Sequence, residues 1–304
     1  MTAIFTGTYT AIVTPFTADL SVDWKAFAGL IKRQVKAGVD GVVVLGTTGE
    51  APTVQGREYV ELLSFAVQEA AGEIAVIAGV GGNDTQRTIE QARQAAATGV
   101  DGLLVTCPYY NKPTQNGIAG HYLAVAEAVD LPQIIYNIAG RTGVNIQTQT
   151  IVALSEHPNI VAVKEASENV EQIMDVISQT PDDFSVLSGS DSLTYSLVAL
   201  GGNGAIATIS NLVPEGVKEM IDAGLRGDKA ASLAAHYRLL PLARTCFVES
   251  NPIPVKTALA EMGLLIESFR PPMCAMEPDN REVLFRCLRQ QGLLAGEVEP
   301  LAAE

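Results

Sequence analysis

Lys164 closes the run Asn159-Ile160-Val161-Ala162-Val163, in which strand alternation puts Ile160, Ala162 and Lys164 on one face. If that face is enclosed, burial disfavours the ammonium form of an amine and favours the neutral form that attacks a carbonyl. A lysine that snorkels out of a strand end and pairs with Glu165 would satisfy the same position. Tyr136 ends the run Gln133-Ile134-Ile135 with the parity of Ile134. On a neighbouring strand, roughly 5 Å away, its hydroxyl would reach the lysine amine and move a proton; a core tyrosine bonded to backbone accounts for it too. Gly46-Thr47-Thr48-Gly49 offers two hydroxyls and several backbone N–H groups, which suits either a cradle for a small carboxylate or a plain turn. Arg141, in Gly140-Arg141-Thr142-Gly143, is either a bidentate partner for a second carboxylate or a surface arginine. Tyr109-Tyr110 suits a lid or a contact between subunits. His121, His157 and His236 fall in or beside helical segments and take no catalytic role. Gly201-Gly202-Asn203-Gly204 precedes an apolar run instead of following one, so it stops a helix and does not cradle a phosphate.

These groups need elements to hold them. Short runs rich in Val and Ile recur at Tyr9–Thr14, Gly41–Gly46, Ile74–Val80, Gly102–Thr106, Gln133–Asn137, Ile160–Lys164, Phe184–Ser188 and Gly204–Ile209. They are apolar on both alternating faces, as parallel strands covered on both sides must be, and a helical segment follows each. Eight βα units without a Gly/Ser/Pro-rich linker predict a closed (β/α)8 barrel, a TIM barrel of the α/β class. An open doubly wound sheet would carry GxGxxG after its first strand, where Thr14-Pro15-Phe16-Thr17 stands. In a barrel the reacting groups lie at the C-terminal strand ends, which is where Thr47, Thr48, Tyr136 and Lys164 fall. Ser21 is expected to cap a helix carrying Trp24, Phe27, Ile31 and Val35, with Gly38 ending it; Asp84 and Gly99 bracket another. Ala37-Gly38-Val39-Asp40-Gly41 is echoed by Thr98-Gly99-Val100-Asp101-Gly102, close to two βα units later. Beyond Arg226 only helical segments continue, so the chain divides into a barrel over 1–226 and a helical extension over 227–304.

Composition narrows the function classes. The 304 residues are 47% hydrophobic and 18% charged, and 20 Lys+Arg against 34 Asp+Glu leave a net charge of −14. Such a chain, with no block of basic residues, is a poor candidate for binding nucleic acid or an anionic membrane surface. No Lys or Arg precedes Lys25, so a secretory signal is not expected, and stretches such as Ile74–Val80 fall far short of the roughly 20 apolar residues of a membrane span. Cys107, Cys246, Cys274 and Cys287 are widely separated and form no CxxC pair, which reads as reduced thiols in a cytoplasmic protein. Three scattered histidines argue against a His-rich metal centre.

Taken together, Thr10–Phe16, Gly46–Glu50, Thr106–Pro113, Tyr136–Gly143, Val163–Ala166, Leu187–Gly189, Gly201–Ile206 and Asn251–Lys256 resemble the pyruvate-dependent class I aldolases, the N-acetylneuraminate lyase family of (β/α)8 barrels. The segments are individually short, but they keep the family's order over nearly the whole chain. The likeness is strongest to members that condense pyruvate with aspartate 4-semialdehyde in lysine biosynthesis. The resemblance implies that Lys164 forms an imine with pyruvate, with Tyr136, Thr47 and Tyr110 as proton relay and Tyr110 supplied by a neighbouring subunit. It implies that Thr48 binds the pyruvate carboxylate and Arg141 that of the aldehyde, while Gly189 and the Ile206 carbonyl line the lysine's pocket. No metal or organic cofactor is implied, because the protonated imine is itself the electron sink, and the expected assembly is a homotetramer, a dimer of dimers. Relatives acting on a sugar acid or on 4-hydroxy-2-oxoglutarate would share Lys164, Tyr136 and the Gly46–Glu50 loop; a barrel kept only for binding is the reading of another class.

The chain departs from that family at one place. Many members are inhibited by lysine at a cleft between subunits. There Asn83 and Tyr109 are kept, but Gly56 and Tyr59 stand where lysine-sensitive members have histidines, and Arg87 stands for an acid. A slip of one residue would leave Asp84 as that acid. The expectation is weak or absent inhibition.

Overall fold

The computed structural model describes residues 3–295. Eight parallel strands close into one barrel in chain order. They are β1 (Gly7–Ala11), β2 (Gly41–Val44), β3 (Ala75–Val80), β4 (Gly102–Thr106), β5 (Gln133–Asn137), β6 (Ile160–Glu165), β7 (Ser185–Ser188) and β8 (Gly204–Ala207). Each lies on its expected run, with β1, β2 and β8 ending two or three residues early because the chain turns into the loops above the barrel. The helices of the wall are α1 (Trp24–Ala37), α2 (Arg57–Ala70), α3 (Thr85–Ala96), α4 (Gln115–Ala128), the single turn α5 (Ala139–Thr142), α6 (Thr148–Ser155), α7 (Val170–Gln179), α8 (Thr194–Ala199) and α9 (Pro214–Leu225). Then α10 (Lys229–Thr245), α11 (Ile253–Glu261) and α12 (Pro278–Gln290) form the extension, its final residues lying outside those described.

Alternation decides which side chains fill the barrel. Tyr9, Val43, Ile77, Leu104, Ile134 and Leu187 point inward and pack as one cluster, while the outward residues join the larger core beneath the helices. Helix α1 shows how sequence sets an element. Phe27 and Ile31 are buried and Trp24 and Val35 partly so, one stripe facing the barrel, and Gly38 ends the helix in the left-handed conformation. The cap is Asp23, not Ser21: the Asp23 side chain accepts the Ala26 N–H at 2.9 Å. Ser21 is instead spent in the turn before it, where its carbonyl accepts from Thr17 N and Val22 bridges Phe16. Asp84 caps α3 as expected. The echoed Asp-Gly pairs share one task at the N-terminal rim, where Asp40 accepts the Thr8 N–H and Asp101 the Val76 N–H, each at 2.7 Å. Each aspartate thus ties its own βα unit to the preceding strand.

The extension folds back over the C-terminal rim. Lys256 on α11 is fully enclosed and bonds Glu50 Oε1 at 2.5 Å, with its Nζ lying 4.4 Å from the Phe16 ring centre. Burial lowers the lysine's pKa and the Glu50 carboxylate opposes that shift. Arg270 N donates to the other Glu50 oxygen at 3.1 Å, and the Arg270 guanidinium forks onto Glu58, two bonds of 2.6 Å. Helix α11 and the segment around Arg270 thereby pin the loop that follows β2.

Candidate active site

Lys164 lies at the C-terminal end of β6, 5% exposed, beside Tyr136 in the β5–β6 ladder. Its Nζ sits 4.3 Å from the centre of the Tyr136 ring, over the electron-rich face that favours a cation. The lysine does not snorkel to Glu165. That carboxylate points to the opposite face of β6, where Asn137 Nδ2 donates at 3.0 Å and Ser167 N at 2.7 Å, and burial raises its pKa. Close packing holds the lysine stem: a Cβ built on Gly189 would stand 3.0 Å from Lys164 Cε and 2.7 Å from Ala166 Cβ. Only glycine leaves that room at the end of β7. Ile206 is buried on β8 in the same interior cluster as Tyr136 and Leu187.

The loop after β2 carries the two threonines. It is entered through Leu45 and left through Glu50, both non-glycine residues in the left-handed region, with φ of 58° and 54°. Gly79 on β3 makes space for the turn, since a Cβ there would lie 2.0 Å from the Leu45 carbonyl oxygen. Thr47 to Gly49 form one short turn, in which Thr14 Oγ1 donates to the Gly49 carbonyl at 2.8 Å. The turn faces Thr47 into a cavity of about 360 Å³ shared with Tyr109, Ile138 and Arg141. Thr48 is buried, and its hydroxyl meets Asn251 Nδ2 at 2.8 Å.

Arg141 is not a stray surface residue. It sits in the turn α5 above β5, donates from Nη2 to the Asn251 carbonyl at 3.1 Å, and lines both the first cavity and a second of about 450 Å³. The second cavity is walled by Ala166, Glu168, Gly189, Ser190, Asp191 and Arg244 among others. Of the expected residues, Thr47, Arg141 and Gly189 line these spaces and Lys164, Tyr136, Thr48 and Ile206 are buried beside them, whereas Tyr110 stands out on the surface. It is 86% exposed, held at φ 72° with its N–H on the Thr142 carbonyl at 3.3 Å, and projects away from its own barrel.

Two residues escaped the sequence reading. Asp191 lies near enough to Lys164 for the lysine's charge to lower its pKa. Burial outweighs that and raises it to about 6, while Thr208 N and Ile209 N each donate to it at 3.0 Å. Asn251 lies in the extension, far from the barrel strands in sequence, and touches both carboxylate-binding candidates. Its place in the Asn251–Lys256 segment was the only available signal. The histidines remain remote: His121 is buried against Thr85, with a pKa lowered to about 4 by burial, and His157 accepts from Asn159 N. Among the described residues no group of three or more His, Cys, Asp or Glu could hold a metal ion, and no helix is long and apolar enough to cross a membrane.

The fold is shared with known proteins. The model of the "Dihydrodipicolinate synthetase family" matches residues 4–291. The 4-hydroxy-tetrahydrodipicolinate synthase of Endomicrobium trichonymphae is 44% identical over 96% of this chain and 100% of its own. The crystal structure of dihydrodipicolinate synthase from Aquifex aeolicus superposes with a TM-score of 0.93 at 44% identity, covering 95% of this chain and 99% of that one. The chloride-inhibited enzyme from Acinetobacter baumannii, complexed with pyruvate, superposes with a TM-score of 0.93 at 38% identity, covering 95% and 99%. A match that runs through all eight strands, the threonine loop, the buried lysine and the Asn251 segment leaves one conclusion: the chain belongs to the dihydrodipicolinate synthetase family.

Proposed function

We propose that the chain acts as a 4-hydroxy-tetrahydrodipicolinate synthase, a Schiff-base-forming lyase that condenses pyruvate with aspartate 4-semialdehyde on the route to diaminopimelate and lysine. The carrying observation is the buried Lys164 amine over Tyr136 at the C-terminal mouth of the barrel, in a chain 44% identical to such synthases over nearly its full length. Lys164 Nζ attacks the keto carbon of pyruvate; the oxygen leaves as water and an imine forms. Loss of a methyl proton gives the enamine, with the protonated imine nitrogen taking up the electron pair. The enamine carbon then bonds to the aldehyde carbon, whose oxygen is protonated. The substrate's own amino group attacks the imine carbon, closes the ring and expels the Lys164 amine. One water is lost overall.

The proton movements fall to Tyr136, Thr47 and the Tyr110 of a second copy. Thr48 holds the pyruvate carboxylate and Arg141 that of the aldehyde, while Gly189 and the Ile206 carbonyl shape the space around the lysine. The outward Tyr110 supports an assembly in which subunits complete each other's sites, a homotetramer built as a dimer of dimers. The barrel over 1–226 carries the reaction and the extension over 227–304 braces it. A cytoplasmic setting fits the free cysteines, of which Cys107 is buried and pushed up to about 12. Product analysis tests the proposal. Pyruvate with aspartate 4-semialdehyde should give the cyclic product, whereas turnover only with sugar acids or 4-hydroxy-2-oxoglutarate, or no turnover at all, would overturn it.

A further inference from the structure

We infer that Asn251 is a positioning residue for pyruvate, because its side-chain amide fixes the direction in which the Thr48 hydroxyl donates. This rests on the reading of Thr48 as the ligand of the pyruvate carboxylate. A threonine hydroxyl has one proton and two acceptor lone pairs. To bind a carboxylate, which only accepts, it must spend that proton on the ligand. Asn251 Nδ2 lies 2.8 Å from Thr48 Oγ1 and can only donate, so in this pairing the hydroxyl accepts from the amide and its proton stays free. The pairing is largely enclosed, Thr48 being 2% and Asn251 5% exposed, and low polarity around it strengthens the bond.

The other end of the amide supports this assignment. Asn251 Oδ1 is buried and has no donor among the described residues. No protein group locks the amide the other way round, so its orientation answers to Thr48. A carboxylate on Thr48 requires Nδ2 toward Oγ1. The main chain of the same residue serves the second carboxylate-binding group, since its carbonyl accepts from Arg141 Nη2 at 3.1 Å. One residue of the extension thus sets the donor direction on one side and braces the guanidinium on the other. Its own place is set by α11, which starts two residues later and whose enclosed Lys256 bonds Glu50, the residue ending the threonine loop. The loop and the Asn251–Lys256 segment are tied to each other twice, by Asn251 to Thr48 and by Lys256 to Glu50, 203 and 206 residues apart in sequence.

The test is a cycle of pyruvate titrations by calorimetry on the full chain, with no aldehyde present. The four proteins are the parent, Asn251→Ala, Thr48→Val and the double variant. Asn251→Ala should weaken pyruvate binding by about tenfold, the worth of one oriented hydrogen bond to a charged group. In the Thr48→Val background the same change should have no further effect, because no hydroxyl remains to be oriented. At saturating pyruvate the turnover of Asn251→Ala should fall less than its affinity, a split that general loosening would not produce. If Thr48→Val binds pyruvate as the parent does, the reading of Thr48 fails. If Thr48→Val weakens binding while Asn251→Ala does not, or Asn251→Ala weakens it equally in both backgrounds, the positioning role fails and the Thr48 reading stands. Asn251→Asp keeps the shape if the alanine protein does not fold. Its carboxylate would take the Thr48 proton, so it should bind pyruvate more weakly than the parent; parent-like affinity would overturn the inference.

Discussion

Lys164 and Tyr136 are register partners on β6 and β5, with the lysine Nζ 4.3 Å above the centre of the tyrosine ring. The contact steadies the amine at the barrel mouth while the carbon stem is clamped by Gly189. Because the imine is covalent, borohydride added with pyruvate should reduce it to a stable amine. Mass spectrometry after digestion should place the added mass on the Lys164 peptide alone. Lys164→Arg should trap nothing, since guanidinium stays protonated. Label on any other lysine would remove the mechanism.

Tyr110 offers a test of the shared site. Tyr110→Phe and Lys164→Ala should each reduce turnover by at least about a hundredfold, the usual range for a lost acid–base group. Mixing the two inactive proteins should restore part of the activity, because a hybrid interface contains one complete site. Native mass spectrometry would confirm that hybrids form. Hybrids without activity would show that Tyr110 acts elsewhere.

Inhibition by lysine should be weak or absent. The cleft beside Tyr109 would have to hold an ammonium group and a carboxylate together, yet Arg87 brings a like charge to the first and is 87% exposed. Tyr59 is buried, its hydroxyl spent on the Gly79 carbonyl at 3.1 Å. Asp84 is occupied as the cap of α3, accepting from Gln86 N at 2.9 Å. A titration showing saturable inhibition below millimolar lysine would reverse this expectation.

Asp191 should mark the pH dependence of stability. Its pKa in the folded chain is raised to about 6 by burial, above the ordinary carboxylate value, so the folded form binds the proton more tightly than the unfolded form. Its ionisation therefore opposes folding at neutral pH, and that cost disappears as pH falls from above 6 to below 4. Relative to Asp191→Asn, the parent should gain about 1 kcal/mol between pH 7 and pH 5 in denaturant titrations. A pH-independent difference would place the proton elsewhere.

The Lys256–Glu50 pair should be costly to break from one side. Lys256→Met leaves the Glu50 carboxylate buried without its cation and should destabilise the chain by about 3–5 kcal/mol. Adding Glu50→Gln should recover much of that loss, since no charge is then stranded. Unfolding midpoints of the single and double variants decide the matter. Additive losses would show that the two residues act independently.

Much of this protein is local and could be read from the chain. Period-two burial on both faces placed all eight strands, because a parallel strand inside a barrel cannot afford a polar side. Parity alone set Lys164 and Tyr136 on the inward face, and glycine at 38 stops α1 because only that residue adopts the left-handed turn cheaply. Ser21 and Asp23 are both capping residue types two positions apart, and the tertiary turn through Thr17 and Phe16, which takes up Ser21, leaves Asp23 to cap α1. What tertiary structure alone decided joins distant segments. Whether Lys164 reaches Glu165 or stands over Tyr136 depended on the ladder register, and whether Arg141 is idle depended on a carbonyl 110 residues away. Asn251 had no periodicity to announce it, only its place in the Asn251–Lys256 segment. Its role exists only because the extension folds over the barrel mouth and sets one amide against one hydroxyl, a contact whose partners lie 203 residues apart.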